Sequence, residues 1–249
     1  VFGIDPETFR IERVIRGIGS PRYICFNDSV AYVTSLYEPR IAVVDVATAA
    51  VADYIETPDH TSTEQMAIWG DTLYVSCWSY DDAVLMVDLT SGEVAGEIGV
   101  RSQPRQIALD GDGRLWVLTD GGYGEGSSPK PPALYRIDAA SGSIEREFVS
   151  RMGDTPRGLA VGAGGDTVYF HNGDVWRMDT DAEELPREPF IPASNTIYYA
   201  LGVDPRRGDI YVGDAIDYQQ QGVVYRFSAD GRGLDTLRVG IIPTDFCFR

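Results

Sequence analysis

The chain repeats itself, and the repeat decides what it can fold into. The segments "VFGIDPETFRIERVI", "IAVVDVATAAVADYI", "VLMVDLTSGEVAGEI", "ALYRIDAASGSIEREF" and "DVWRMDTDAEELPREPF" align under one another. Each reads as a strand ending in Asp, a tight turn and a second strand. The marker residues are Asp5, Asp45, Asp88, Asp138 and Asp179, at spacings of 40, 43, 50 and 41, and Ser228 in "VYRFSADGRGLDTL" follows 49 later. Ahead of each unit after the first lies another hairpin: "PRYICFNDSVAYV", "EQMAIWGDTLYV", "PRQIALDGDGRLWV", "PRGLAVGAGGDTVYF" and "YALGVDPRRGDIYV". Four antiparallel strands, A to D, in 40 to 50 residues are the signature of a propeller blade. The alternative, a β-helix, has shorter coils without two hairpins. The sequence therefore predicts an all-β chain, a β-propeller of four-stranded antiparallel blades. It spells five complete blades, preceded by strands C and D of another and followed by one strand A, "TDFCFR".

Residues that recur in every blade are expected to pack blade on blade. Tyr32, Tyr74, Trp116, Tyr169 and Tyr211 share one place in strand B, and Tyr135, Trp176 and Tyr225 one in strand C. Cys25, Cys77 and Cys247 sit in apolar strands, without a CxxC, and are expected to be buried filler.

Function is expected where the blades differ. In an antiparallel blade the B–C and D–A connections share one end, and the A–B and C–D turns share the other. The turns are short. The B–C connections are "SLYEPR", "CWSYDD", "DGGYGEGSSPKPPA", "HNGD" and "DAIDYQQQG", and the D–A connections include "TPDHTSTEQ" and "IPASNTIYY". This end collects Tyr37, Trp78, Tyr80, Tyr123, Tyr198 and Tyr218, with His60 among its polar residues. Aromatic rings among Gly, Ser, Asn and Gln are the mixture binding loops use. They serve equally to pack loops down. Gly121–Pro132 is expected to form one wall of a site, with Tyr123 as its anchor.

The residue opening strand A is Arg22, Arg105 and Arg157 in three blades ("SPR", "QPR", "TPR") and Glu64, Tyr199 and Thr244 elsewhere. Strand A is innermost in a propeller, so these side chains ring the mouth of its channel. Three guanidinium groups there would hold an anionic group, or pair with Glu64 and the loop acids.

Twenty-one Lys and Arg against 38 Asp and Glu leave a net charge of −17. Such a surface repels phosphate backbones, which argues against a nucleic-acid partner. No run approaches 18 apolar residues, the length a membrane-spanning helix needs. Without a Met start or signal peptide, the chain reads as processed or trimmed. Only His60 and His171 are present, with no HExxH and no compact His/Cys cluster along the chain, so neither a metal site nor a cofactor is predicted. "DGDG" at Asp110 lacks the Glu of a calcium loop and reads as a turn. GxSxG, P-loop and strand–helix GxGxxG patterns are missing, no carboxylate pair stands out, and no catalytic residue is assigned. The chain is read as a binding protein and not an enzyme. A carbohydrate- or protein-binding adhesion propeller and a glycoside-cleaving propeller are the competing readings.

The blades resemble YVTN/YncE-type surface propellers. The stretches "SPRYICF…AYVTSLY", "HTSTEQMAIWGDTLYVSCWSYDD", "LWVLTDGGYGEG…ALYRIDAASG", "GDTVYFHNGDVWRMD" and "YALGVDPRRGDIYVGDAIDY…GVVYRFSADG…VGIIPTDFCF" resemble the surface lipoproteins of Bacteroides-type gut bacteria. The BtuG-like members of that branch capture cobalamin and pass it to a TonB-dependent outer-membrane transporter. The resemblance therefore implies a corrinoid ligand, a transporter partner and a lipoprotein at the cell surface. It also implies seven blades and a lipidated N-terminal Cys. Against that pattern residues 1–249 form one propeller domain lacking the first blade and half of the second. Closure of a six-bladed ring by "TDFCFR" against Val1–Ile18 is the alternative. The resemblance carries no ligand motif, so the candidate ligand-binding set comes from the loops and the mouth: Arg22, Tyr37, His60, Glu64, Trp78, Tyr80, Arg105, Tyr123, Arg157, Tyr198, Tyr199 and Tyr218.

Overall fold

A computed structural model describes residues 1–122, 129–193 and 196–248. Every regular element among them is a strand, and no helix is long and apolar enough to cross a membrane. The chain divides into two compact units. The first is Val1–Ile107; the second holds, among the described residues, 108–122, 129–193 and 196–248.

The first unit opens with a hairpin of β1 (Phe2–Ile4) and β2 (Ile11–Val14), the expected C and D strands of a blade. Two four-stranded antiparallel blades follow. One is β3 (Pro21–Asn27), β4 (Val30–Ser35), β5 (Arg40–Asp45) and β6 (Ala50–Glu56); the other is β7 (Thr63–Trp69), β8 (Thr72–Cys77), β9 (Ala83–Asp88) and β10 (Glu93–Gly99). Tyr32, Ile41 and Ile55 of one blade pack with Leu73, Val75, Leu85 and Val87 of the next. Each such side chain contributes about 1.5–3 kcal/mol by leaving water.

In the second unit, β11 (Pro104–Leu109), within which the division falls, β12 (Arg114–Thr119), β13 (Ala133–Asp138) and β14 (Ser143–Val149) form one blade. Three strands follow: β15 (Arg157–Val161), β16 (Thr167–Asn172) and β17 (Asp174–Asp179). The last blade is β18 (Tyr198–Val203), β19 (Ile210–Asp214), β20 (Val223–Phe227) and β21 (Gly233–Arg238). Trp116 and Phe148 pack with Leu159, Val168 and Phe170; Tyr169 and Val175 pack with Leu201, Ile210 and Val212. The second strands β4, β8 and β12 are enclosed from their second residue onward. The recurrent aromatics stand there, with Tyr74 and Trp116 fully enclosed.

The marker aspartates make the C–D turns. Asp45, Asp88 and Asp138 each accept, on Oδ1, the backbone N–H of a residue two or three ahead, at 2.7, 2.8 and 2.7 Å. Those bonds hold the Asp45 and Asp88 carboxyls below the usual Asp range, and at Asp138 the Ser141 hydroxyl does so together with the backbone bond. Asp110 does the same in its A–B turn, accepting from Asp112 and Arg114 on one oxygen and from the Trp116 indole on the other. "DGDG" is a turn, as expected.

Three expectations fail. Among the described residues four blades are complete, not five: "EELPREPF" does not add a fourth strand to β15–β17. Pro186 and Pro189 remove two ladder donors there. The segment is held instead by Arg136 of β13, which donates to the carbonyls of Thr180 and Ala182 at 2.8 and 3.0 Å, and by Arg146 of β14, which donates to that of Glu183. The isolated bridge Val175–Ile191 is the one ladder-like pairing of β17 on that side among the described residues. The terminal "TDFCFR" is not a strand, so Thr244 opens none. Phe246 and Phe248 instead pack on Tyr211, at 5.9 and 5.3 Å between ring centres. Cys247 is thereby exposed; of the three cysteines only Cys77 is fully buried, and Cys25 is half-buried.

Candidate functional site

The strands that open at the loop end share one irregularity. In β3 the pairing with β4 slips between Pro21 and Ile24. In β7 it slips between Thr63 and Met66, in β15 between Arg157 and Ala160, and in β18 between Tyr198 and Ala200. Each slip inserts one residue, a β-bulge that re-aims side chains and deepens the local twist. Arg22, Glu64 and Tyr199 lie inside these bulges, and Arg157 opens one. A bulge leaves backbone groups outside the ladder. In the first unit a buried hydroxyl on the next strand takes them. Thr34 Oγ1 accepts the Tyr23 N–H at 3.0 Å, and the Ser76 hydroxyl donates to the Gln65 carbonyl at 3.2 Å. The same device thus presents the second residue of β3 and of β7.

In the first unit this brings Arg22, Glu64, Arg105 and Trp78 into one electrostatic group. Glu64 is 1% exposed. The Arg22 guanidinium donates to both its oxygens, Nε at 2.7 Å and Nη2 at 3.2 Å. Burial nevertheless raises the Glu64 carboxyl above its ordinary value, with Arg22 and then Arg105 opposing the rise. Arg105 lies with its guanidinium carbon 5.4 Å from the Trp78 ring centre, and among the described residues no carboxylate oxygen lies within ion-pairing distance of it. Two guanidinium groups against one carboxylate leave a single positive charge. The arginines differ: Arg22 pairs with Glu64, whereas Arg105 lies over the Trp78 ring.

The second unit repeats half of this. Arg157 stands over the Tyr199 ring at 5.5 Å, and Tyr218 meets Tyr199 edge to face at 5.8 Å. Arg157, Asp120, Lys130, Pro132 and Asp154 border a depression of about 230 Å³. Tyr198 does not join it; it packs on Tyr225 at 6.4 Å, and burial raises its phenol pKa. Tyr123, the anchor expected in the long loop, and the five residues after it in that wall lie outside the described residues. A larger apolar groove of about 450 Å³ runs between the first hairpin and β3–β5 and contains no predicted site residue.

Three loop tyrosines carry a backbone signature. Tyr37, Tyr80 and Tyr218 are exposed, and each has a left-handed φ, of 76°, 69° and 64°. A bulky residue in that region is an outlier costing about 1–2 kcal/mol. The strain is imposed by bonds such as Tyr37 N–H to the Thr61 carbonyl at 2.6 Å and Tyr218 N–H to the Ala215 carbonyl at 2.9 Å. Gln103 shares the signature, with φ 62°. It is buried, and its side-chain Oε1 has no partner among the described residues.

His60 is not in the Arg105 group. Its Nδ1 lies 2.8 Å from Asp81 Oδ2 and its Nε2 3.5 Å from Glu97. Cys77 Sγ joins His60 and Asp81 within 4.8 Å. Burial, and next the charges of Asp81 and Glu97, push the Cys77 thiol far above its usual range. No familiar motif in the sequence announces this cluster, because His60 comes from one connection and Cys77 and Asp81 from the next.

Residues 3–239 match a family described as Domain of unknown function (DUF5074). No curated protein matches the chain. Among solved structures, a hydrazine synthase of Kuenenia stuttgartiensis is similar at a TM-score of 0.80 and 17% identity, over 97% of this chain and 81% of that one. A gluconolactonase of Xanthomonas campestris is similar at 0.65 and 16%, over 91% and 77%. A quinonprotein alcohol dehydrogenase-like protein of Bacteroides thetaiotaomicron is similar at 0.68 and 15%, over 95% and 59%. At such identities the likeness is one of fold, and that fold is the β-propeller the repeat predicts. It corrects the expectation that the chain is not an enzyme. The same architecture carries a hydrazine synthase and a gluconolactonase, so missing familiar motifs do not exclude catalysis here.

Proposed function

The chain belongs to the DUF5074 family, and from that premise we propose that it binds a small molecule bearing an anionic group at the loop end of its blades. One observation carries the reading. In a chain of net charge −17, Arg105 lies against Trp78 rather than against a carboxylate. A guanidinium lying against an indole is partly desolvated, and it favours oxyanions that accept two parallel N–H bonds, such as phosphate and carboxylate. Trp78 adds an apolar surface, and the exposed Tyr37 and Tyr80 stand on connections of the same unit.

The resemblance to BtuG-like propellers supplies the ligand class. It is a corrinoid such as cobalamin, with its phosphate at Arg105 and its ring edge at Trp78. On the same reading the chain works at the cell surface as part of an outer-membrane lipoprotein and passes its ligand to a TonB-dependent transporter.

Calorimetry and thermal-shift measurements with cobalamin, haem and glycans test this. Cobalamin at a hundred times its Kd stabilises the fold by about 2.7 kcal/mol. Arg105→Ala is expected to weaken binding about tenfold or more, the worth of a charge-assisted bond. No shift with any corrinoid overturns the ligand class. Unchanged affinity in Arg105→Ala overturns the site.

A further inference from the structure

The last residue of strand B does the same task in several blades. It ties the blade to the connection that precedes its innermost strand. The Ser35 hydroxyl donates to the Gly19 carbonyl. Asn172 Oδ1 accepts the Thr155 N–H at 3.0 Å, and Asp214 Oδ1 accepts the Ile197 N–H at 3.0 Å. In the blade β7–β10 this place is held by Cys77, and the preceding connection sends a side chain, His60, to meet it. A single side-chain-to-backbone bond is replaced by a thiol, an imidazole and the Asp81 carboxylate, with their ligand atoms within 4.8 Å of one another.

We propose that His60, Cys77 and Asp81 form a binding site for a divalent transition metal, with zinc the best match. Thiolate sulfur, imidazole nitrogen and carboxylate oxygen are all donors that zinc takes in tetrahedral sites. Metal–ligand lengths of about 2.0–2.3 Å put neighbouring donors roughly 3.3–3.8 Å apart, so small side-chain movements close the shell. The charges balance. Thiolate and carboxylate neutralise the cation, the imidazole binds neutral, and the proton leaves Cys77 for solvent on loading.

The supporting contacts are in place. Asp81 divides its oxygens: Oδ1 accepts the N–H groups of Asp82 and Ala83 at 2.8 and 3.2 Å, which fixes the carboxylate, while Oδ2 faces His60. The Asp81 carbonyl accepts the Gln103 N–H at 2.7 Å. His60 is anchored through Thr57, whose hydroxyl donates to the His60 carbonyl at 2.8 Å. With a metal on Nδ1, the Nε2–H is directed to Glu97, the carboxylate partner that metal-bound histidines commonly have. Cys77 is fully enclosed, whereas the Glu97 side chain is 65% exposed. Three protein donors leave the fourth tetrahedral position for water or an incoming ligand.

The test uses the full chain, freed of metal with a chelator and titrated with Co2+ and then Zn2+. One equivalent of Co2+ is expected to give a thiolate-to-cobalt charge-transfer band, which Zn2+ displaces. Cys77→Ser removes the band; Cys247→Ser, at the exposed cysteine, leaves it intact. Should Cys77→Ser fail to fold, His60→Gln and Asp81→Asn decide the matter, since both side chains are partly exposed. Each is expected to abolish stoichiometric binding, with the thermal midpoint of the metal-free protein retained. Glu97→Gln is expected to weaken Zn2+ binding about tenfold. No charge-transfer band in the wild type overturns the proposal. So does a band that survives in Cys77→Ser or is lost in Cys247→Ser, or stoichiometric binding that persists in His60→Gln and Asp81→Asn.

Discussion

The two ends of the blades treat acidic residues in opposite ways. At the turn end, Asp45, Asp88 and Asp138 are partly exposed and held ionised by hydrogen bonds within their own turns. At the loop end, Glu64 is enclosed, and burial raises its pKa in spite of Arg22. One end uses charge to close a turn that recurs. The other confines charge where the blades stop repeating. An acid at the turn end contributes by what it does to its own backbone, whereas Glu64 sets the charge that reaches Arg22 and Arg105.

Glycine substitutions open the widest gap between the ends. Gly158 lies in the bulge of β15 with φ 66°, and a Cβ there would meet His171 at 2.5 Å and Leu201 at 2.8 Å. Gly158→Ala combines backbone strain with overpacking, and urea unfolding is expected to show a loss of about 2–5 kcal/mol. Gly92, in the turn after Asp88, has φ 72° with nothing within 4 Å of a Cβ. Gly92→Ala is expected to lose only about 1 kcal/mol. Equal losses would erase the distinction.

Next in size is the pH response of Glu64. Its folded-state pKa is raised, so the folded chain holds this proton more tightly than the unfolded one, and stability falls as pH rises above about 4.5. Relative to Glu64→Gln, the wild type is expected to lose stability across that rise in paired thermal melts. A wild type that gains instead would show the Arg22 pairing outweighing burial.

The smallest effect is Asp88→Ala. The folded-state pKa of Asp88 is lowered, so its contribution is present above 3.8 and disappears as pH falls through the folded value. The variant is expected to melt slightly lower than wild type at neutral pH and to coincide with it in strong acid. A difference that persists in acid would assign the effect to packing.

The fold was legible because its signal repeats. Asp before a turn and an aromatic at the centre of strand B recur often enough to count, and both have a mechanical reason, turn closure and enclosure. The failures lie where a single residue type overrides the pattern. Pro186 and Pro189 cancel a strand that the alignment predicts, since periodicity does not register a missing donor. For the site, position was legible and geometry was not. Arg22, Glu64 and Arg105 could be placed at the openings of inner strands, but the inserted bulge residue leaves no mark in the one-letter code. The pairing of Arg22 with Glu64, and of Arg105 with Trp78, emerges only in three dimensions. His60, Cys77 and Asp81 were invisible together because two loops and a strand end converge on them.

The missing fourth strand beside β17 has one more consequence. An open strand edge is a template on which a second chain can add itself, the first step of aggregation. Here guanidinium groups from β13 and β14 reach across to grip the carbonyls of residues 180–183. The segment they hold carries two prolines and three glutamates, Glu183, Glu184 and Glu188. Prolines offer no donors to an arriving strand, and clustered negative charge repels a second copy of an acidic chain. The irregular blade thereby trades a ladder for a guard, and its least regular border offers an arriving strand few partners.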